Sequence, residues 1–378
     1  MTEYQNDIST DLNLDSGADS GVLEIRLSSL VRNYQIMAKK SGKAATAAVV
    51  KADAYGLGLE NIVPQLIAAG CASFFVANLN EAINCRRFAP AADIYVFSGF
   101  VGQQADLFLS ENIIPCLNSL RQIKMWQAAC AQLGKPLPAA INIDTGFNRL
   151  GLDEGETMSL SEDTELFSGW SLKLIMSHLA CGDNPEHPMN NAQRERFLNA
   201  AGLLPEAPKS LANSAGIFLG ETFHFDLTRC GISLYGGAAQ GSETALETVI
   251  SVYGHILQIK NISIGETVGY GATYVAQSEQ TIAIVSVGYA DGFLRASGHA
   301  HAPFALAHVK NMPAPIIGRV SMDLLAIDIT NIDTSLETGD RVELLGANSL
   351  VDKVASQAGT ISYELLTGLG NRYKRICL

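Results

Sequence analysis

The sequence predicts an α/β chain with an N-terminal (β/α)8 TIM barrel and a C-terminal antiparallel β domain. Three observations carry this. Short apolar runs alternate with longer amphipathic stretches between about residues 27 and 240, the rhythm of repeated β-α units. After about residue 245 the pattern becomes residue-by-residue alternation broken by Gly, Asp and Asn. The length of 378 residues, 47% of them hydrophobic, can fill two or three cores.

The barrel opens on an amphipathic helix over Leu27–Lys40, followed by a first strand over Ala45–Val50. Seven more strands are expected at Ala72–Ala77, Asp93–Phe97, Ile113–Leu117, Ala139–Ile143, Leu172–Ser177, Ser210–Asn213 and His224–Leu227. Eight strands with helices between them, in a length close to the usual one, imply a closed barrel. The segments ISVYGHILQI, TIAIVSVGYADG, PIIGRVSMD, LLAIDI and RVELLG then build the β domain. The expected boundaries are a disordered acidic tail over 1–20, the barrel over 21–244 and the β domain over 245–378; residues 21–26 also fit a strand of the β domain.

Composition excludes several functions. With 26 basic and 38 acidic residues the net charge is −12, and no block of Lys or Arg is present, which argues against nucleic-acid or anionic-membrane partners. The first 20 residues hold Glu3, Asp7, Asp11, Asp15 and Asp19 without a basic residue, the reverse of a signal peptide. The uncharged window Asn61–Asn80 is split by Gly70 and polar residues, and reads as a core helix followed by a core strand. The 7 cysteines are odd in number and contain no CxxC, so no disulfide framework and no metal site is expected, and a reducing cytoplasm fits.

In a barrel, polar residues directly after strands lie on the face where active sites form. Lys51 ends the apolar run VVK, where burial would depress its pKa and favour Schiff-base chemistry. Arg149 lies in the segment after the fifth strand, His178 after the sixth, Asn213-Ser214 after the seventh, and Arg229, Gly231 and Ile232 after the eighth. Each alone has a plainer reading. Lys51 also fits a lysine snorkelling from a strand end, His178 a hydrogen-bonded core residue, and Arg149 or Arg229 a surface ion pair. Together they supply a lysine nucleophile, two arginines, a histidine and a Ser/Gly cradle where barrels hold phosphate, the inventory a pyridoxal 5'-phosphate site requires.

On these residues the chain resembles the fold-type III pyridoxal-phosphate enzymes, and among them the alanine racemases. The resemblance rests on VVKADAYGLG at 49–58, DTGFNRLG at 144–151, SHLA at 177–180, NSAG at 213–216, RCGISLYG at 229–236, VGYGATY at 268–274, VGYADG at 287–292 and GRVSMD at 318–323, in family order across almost the whole chain. It implies that Lys51 carries the cofactor and is one catalytic base, and that Tyr270 is the second. It also implies that Tyr55, Ser214, Gly231, Ile232 and Tyr363 hold the phosphate, Arg229 the ring nitrogen with His178 beside it, and Arg149 the ring's phenolic oxygen and the substrate. Met322 and Asp323 would close the substrate pocket, Tyr274 and Tyr289 would line its entrance, and Tyr270, Met322 and Asp323 would reach in from the second copy of a homodimer with shared sites. The implied role is D-alanine supply for peptidoglycan in a bacterial cytoplasm.

Three residues depart from the family pattern. Asn142 stands where many members have a lysine that can be carbamylated, Leu57 replaces a frequent histidine, and Cys230 sits where a small apolar residue is usual. No carbamate is therefore expected, and the positioning of Arg149 is left open. The competing readings are a broad-specificity amino-acid racemase and a same-fold amino-acid decarboxylase. A decarboxylase would need a catalytic cysteine in the second domain, where Ser321-Met322-Asp323 stands instead.

Overall fold

The computed structural model describes residues 19–239, 246–298, 305–332 and 335–378. The chain divides into two compact units. One comprises Glu24–Ser251, Leu345–Leu369 and Ile376–Leu378; the other comprises the residues through Leu23, Val252–Leu344 and Gly370–Arg375. Residues 1–18, most of the expected acidic tail, lie outside the described residues.

The larger unit is a barrel of eight parallel strands: β2 (Ala45–Val49), β3 (Ser73–Val76), β4 (Asp93–Val96), β5 (Ile113–Leu117), β6 (Leu137–Asn142), β7 (Trp170–Met176), β8 (Lys209–Ser210) and β9 (Leu227–Cys230). They pair in chain order, and β9 returns to β2 with Ala45 opposite Leu227 and Ala48 opposite Cys230. Because β8 has only two residues, the last seam is closed by single bonds: Asp226 N donates to Lys209 O (3.0 Å) and Arg229 N to Ala212 O (2.9 Å). The strands are apolar on both faces because helices cover the outside while side chains fill the inside. Phe75 stacks on Tyr95 at 4.6 Å and on Phe97 at 5.3 Å within that filling. Short strand-to-helix turns end in side-chain caps: Asn78 accepts from Glu81 N, Ser119 from Gln122 N, and Asp153 from Glu156 N.

The eighth barrel strand lies three residues later than His224–Leu227. His224 is buried in the turn before it, its ring nitrogens 3.1 Å from Ser41 O and 2.9 Å from Ile217 O. Local side-chain bonding thus outcompetes the apolar signal at 224–226. Arg229 consequently stands inside β9, not after it.

The second sheet runs β13 (Gln280–Val285), β16 (Leu325–Asp328), β15 (Met312–Ile317), β14 (Leu306–Val309), β17 (Arg341–Leu345), β10 (Ile250–Ile262), β1 (Gly21–Ile25) and β18 (Tyr373–Cys377). Since β13 also pairs with β10, six of these strands close on themselves, which removes exposed edges. A two-residue pair, β11 (Thr267–Val268) with β12 (Tyr274–Val275), frames the turn that carries Tyr270.

Two helices, Val351–Gln357 and Ser362–Gly368, interrupt the region read as all β. Both belong to the barrel unit. Each buries two or three apolar side chains, Val351, Val354 and Ala355 in one and Leu365 and Leu366 in the other, too few to show a helical period in the sequence.

Candidate active site

A cavity of about 440 Å³ lies within the barrel unit, at the carboxyl ends of the strands. Nine of the residues singled out from the sequence line it: Lys51, Tyr55, Arg149, His178, Ser214, Arg229, Gly231, Ile232 and Tyr363.

Lys51 follows β2 after one residue, Val50, and begins a one-turn helix of the wrong hand. Ala52, Asp53, Ala54 and Tyr55 all have φ between 53° and 55°, a left-handed turn with no glycine in it. Such a conformation costs about 1–2 kcal/mol per residue, so it must be held from outside. Ala54 N donates to Val50 O (2.9 Å), Gly56 N to Ala52 O (2.8 Å), Ala52 N to Glu81 Oε1 (3.0 Å), and Leu59 N to Asp53 Oδ1 (2.9 Å). The turn sets Lys51 and Tyr55, four residues apart, on one cavity wall. Burial, with a smaller contribution from the Arg149 charge, pulls the Lys51 ammonium below the usual lysine range; Glu81 opposes this.

Arg229 forms the cavity's fixed cation. It is only 1% exposed, and its Nη atoms donate to Ser210 Oγ (2.5 Å), Ser177 O (2.5 Å) and Leu211 O (3.3 Å). Burial lowers its pKa to about 10, which leaves it charged at neutral pH. Its Nε is buried and has no hydrogen-bond partner, a donor aimed at nothing in the protein. Nη2 lies 3.4 Å from His178 Nδ1, and the His178 ring packs edge-on against Phe147. Burial and then the charges of Arg229, Arg149 and Lys51 push His178 well below the ordinary histidine value, so its imidazole is neutral at pH 7.

Arg149 contrasts with Arg229. It is exposed, on the loop after β6, with its guanidinium carbon 4.2 Å over the Phe147 ring. Asp144 Oδ1 shapes the loop by accepting from the backbone N–H groups of Gly146, Phe147 and Asn148 at 2.8–3.1 Å. Asn142 Nδ2 donates to Leu150 O (3.1 Å) and to Asn118 Oδ1 (2.8 Å), while Asn118 Nδ2 donates to Phe97 O and Cys116 O. An asparagine relay thus ties the carboxyl ends of β4 and β5 to the loop carrying Arg149, at the carbonyl of the next residue, Leu150. Asn118 had no sequence signal, because an amide in a short strand-to-helix turn reads as an ordinary loop residue.

The remaining wall is a cradle. Asn213 caps the turn that begins at Ser214, Gly231 N donates to Ser214 Oγ (2.8 Å), and Ile232 opens the next turn. A Cβ on Gly231 would lie 2.6 Å from Tyr55 Oη, so any larger residue must displace that ring. Tyr55 stacks on Tyr235 at 4.5 Å and lies 6.0 Å from Tyr363. Burial raises the Tyr55 hydroxyl above its ordinary range and Tyr363 to about 12, so both remain protonated donors.

The other five residues belong to the β unit. Tyr270 is 70% exposed in a turn between Gly269 and Gly271, and a Cβ on Gly271 would lie 3.0 Å from Arg319 Nη1. Met322 and Tyr289 are also exposed, and their segments are joined by Tyr289 N to Ser321 O (3.0 Å) and Ala290 N to Met322 O (2.9 Å). Asp323 accepts from Arg372 Nη1 (2.8 Å), and Arg372 in turn pairs with the fully buried Asp291. Tyr274 is placed unlike an entrance residue. Its ring is buried in the cluster of Ile262, Val268, Ile282 and Ile317, and its hydroxyl donates to Gln280 Oε1 (3.0 Å), so it serves packing. Among the described residues no helix is long and apolar enough to cross a membrane.

Two family models match the chain, "Alanine racemase, N-terminal domain" over residues 25–239 and "Alanine racemase, C-terminal domain" over 249–377. The alanine racemase of Rhodospirillum rubrum is 45% identical over 335 residues, covering 88% of each chain. A biosynthetic alanine racemase of Agrobacterium fabrum is 42% identical over 93% of this chain and 92% of its own. Among solved structures, the alanine racemase of Bartonella henselae, which carries covalently bound pyridoxal phosphate, superposes with a TM-score of 0.90 at 38% identity, covering 95% of this chain and 99% of its own.

Proposed function

The chain belongs to the alanine racemase family, and from that premise we propose that it interconverts L- and D-alanine in the barrel cavity with pyridoxal 5'-phosphate held on Lys51. The single observation that carries this reading is the pairing, in one cavity, of a half-buried lysine and a buried guanidinium with an unpartnered Nε–H.

The residues present fit the cofactor. The Arg229 Nε–H is a donor without an acceptor, and the ring nitrogen of pyridoxal phosphate is an acceptor. Because a guanidinium with a pKa of about 10 keeps its proton near pH 7, Arg229 would bond that nitrogen without protonating it. Ser214, Gly231 and Ile232, with the Tyr55 and Tyr363 hydroxyls, would hold the phosphate in the cradle that Gly231 keeps open. When bound, the cofactor withdraws electrons from the substrate's Cα and makes its proton acidic.

Inversion then needs an acid/base group on each face of Cα. Lys51 Nζ would serve the face from which D-alanine loses its proton. Its lowered pKa increases the fraction of free amine near neutrality. Tyr270 Oη would serve the opposite face. We place it, with Met322 and Asp323, in the site of a second copy of the chain; the exposure of Tyr270, Met322 and Tyr289 on the β unit supports this. Arg149 would face the substrate carboxylate, and neutral His178 would steady Arg229 without adding charge. The setting we propose is a bacterial cytoplasm, with D-alanine supplied to peptidoglycan.

The test is chiral chromatography after incubating the cofactor-loaded protein with L-alanine, beside Lys51→Ala. Equal amounts of the two enantiomers, absent in the variant, are expected. Unchanged L-alanine would overturn the reading and direct the search to serine and other amino acids.

A further inference from the structure

Glu81 stands in the first turn of the helix Leu79–Phe88, three residues after its capping Asn78. A glutamate at that position ordinarily folds back onto the capping residue's own N–H. Here it reaches elsewhere. Oε2 accepts from Ala77 N, just past the end of β3 (2.8 Å), and Oε1 accepts from Ala52 N, the residue directly after Lys51 (3.0 Å). One carboxylate thus bridges two neighbouring strand-to-turn junctions of the barrel. The N–H it holds is the first of the left-handed turn, whose four non-glycine residues each prefer another conformation.

We propose that Glu81 is a positioning residue for Lys51, a clamp that holds the left-handed turn so that the lysine enters the cavity oriented to take the cofactor. Asp53 fixes the far side of the turn by accepting from Leu59 N, and Ala54 N closes the turn's own bond to Val50 O, while Glu81 is the side chain that accepts from the N–H next to Lys51. The carboxylate also lies close enough to the ammonium to oppose the pKa lowering caused by burial and Arg149, so the clamp and the lysine's charge are coupled. Glutamine cannot replace it, because its NH2 group would face one of the two N–H donors. The proposal rests on the reading of Lys51 as the cofactor lysine, and the experiment separates the two.

Apoprotein is mixed with pyridoxal phosphate, trapped with borohydride at timed intervals, and digested, and the modified fraction of the Lys51 peptide is measured by mass spectrometry. Glu81→Gln and Glu81→Asp are compared with wild type and with Asn78→Ala, which removes the cap accepting from Glu81 N and leaves the carboxylate in place. Wild type and Asn78→Ala are expected to label Lys51 alike, and Glu81→Gln about tenfold more slowly, with Glu81→Asp no better because its shorter stem cannot span both donors. Amide hydrogen exchange on the 49–58 peptide, expected to accelerate in Glu81→Gln, reads the turn directly. Equal labelling in wild type and Glu81→Gln would overturn the clamp while leaving Lys51's role intact. An equal loss in Asn78→Ala and Glu81→Gln would reduce Glu81 to a helix cap. No label on Lys51 in wild type would overturn the reading of the site, and the clamp with it.

Discussion

Arg229 and Arg149 share one cavity and are held in opposite ways. Arg229 is built into β9, buried, and held on both outer nitrogens by oxygens of the barrel wall, with Nε left without a partner. Arg149 rides an exposed loop, rests on the face of Phe147, and is positioned indirectly through Asn142 and Asn118. The difference separates the two tasks a site of this kind must perform. On the roles proposed above, the cation beside the cofactor is fixed by the core, and the cation facing the substrate is presented from a loop.

Replacing Arg229 breaks the fixed side. Arg229→Met removes the donors to Ser177 O, Ser210 Oγ and Leu211 O, and at about 1–3 kcal/mol for a buried group left unpaired the loss should be at least about 3 kcal/mol in urea unfolding. A loss below about 1 kcal/mol would mean that the arginine is not part of the barrel's structure. Gly231→Ala comes next. Its Cβ must push Tyr55 from its stack on Tyr235, for about 1–3 kcal/mol of overpacking and a weaker hold on inorganic phosphate by calorimetry.

His178 gives the fixed side a pH signature. The fold holds it neutral, whereas the unfolded chain protonates it near the ordinary value of 6.5. Stability should therefore be complete above that pH and fall as pH drops toward the lower folded value, by up to about 1.4 kcal/mol per pH unit. His178→Asn should flatten that slope in unfolding experiments run from pH 7.5 to 5; an unchanged slope would assign it to other groups. On the loop side, Asn142→Ala cuts the tie between Asn118 and the Leu150 carbonyl and should cost about 1 kcal/mol, with faster amide exchange over residues 144–151.

The smallest effect on stability belongs to Arg149→Met, within about 0.5 kcal/mol, because the side chain is exposed. Its electrostatic effect has a definite sign. A neighbouring positive charge disfavours the protonated form of Lys51, so removing it should move the lysine's titration to higher pH, read from the pH dependence of its reaction with a small aldehyde in apoprotein. A shift to lower pH, or none, would disconnect the two residues.

The barrel was legible because its strands are apolar on both faces and recur between amphipathic helices, and part of the cavity lining was legible because Lys51, Arg149, His178 and Ser214 follow those strands, whereas Tyr55 and Tyr363 came from the family resemblance alone. Legibility failed where local bonding or distant chain took over. His224 looked like strand and is hydrogen-bonded in a turn. The helices at Val351–Gln357 and Ser362–Gly368, which bring Tyr363 to the cavity, are too short to show a period. The left-handed turn after Lys51 runs through four non-glycine residues before Gly56, so its hand has no local signal and is held by contacts such as that of Glu81. Tyr274 sits in a motif beside Tyr270, yet the two-residue strand that holds it turns its ring into the core.

The most direct test of the account is proton NMR of L-alanine in deuterium oxide with the cofactor-loaded protein. If the cavity residues remove and return the Cα proton, the methyl doublet collapses as deuterium replaces that proton, and the D-alanine formed carries deuterium at Cα. Lys51→Ala should leave the doublet intact. An intact doublet with the wild-type protein, or D-alanine that retains its original proton, would contradict it.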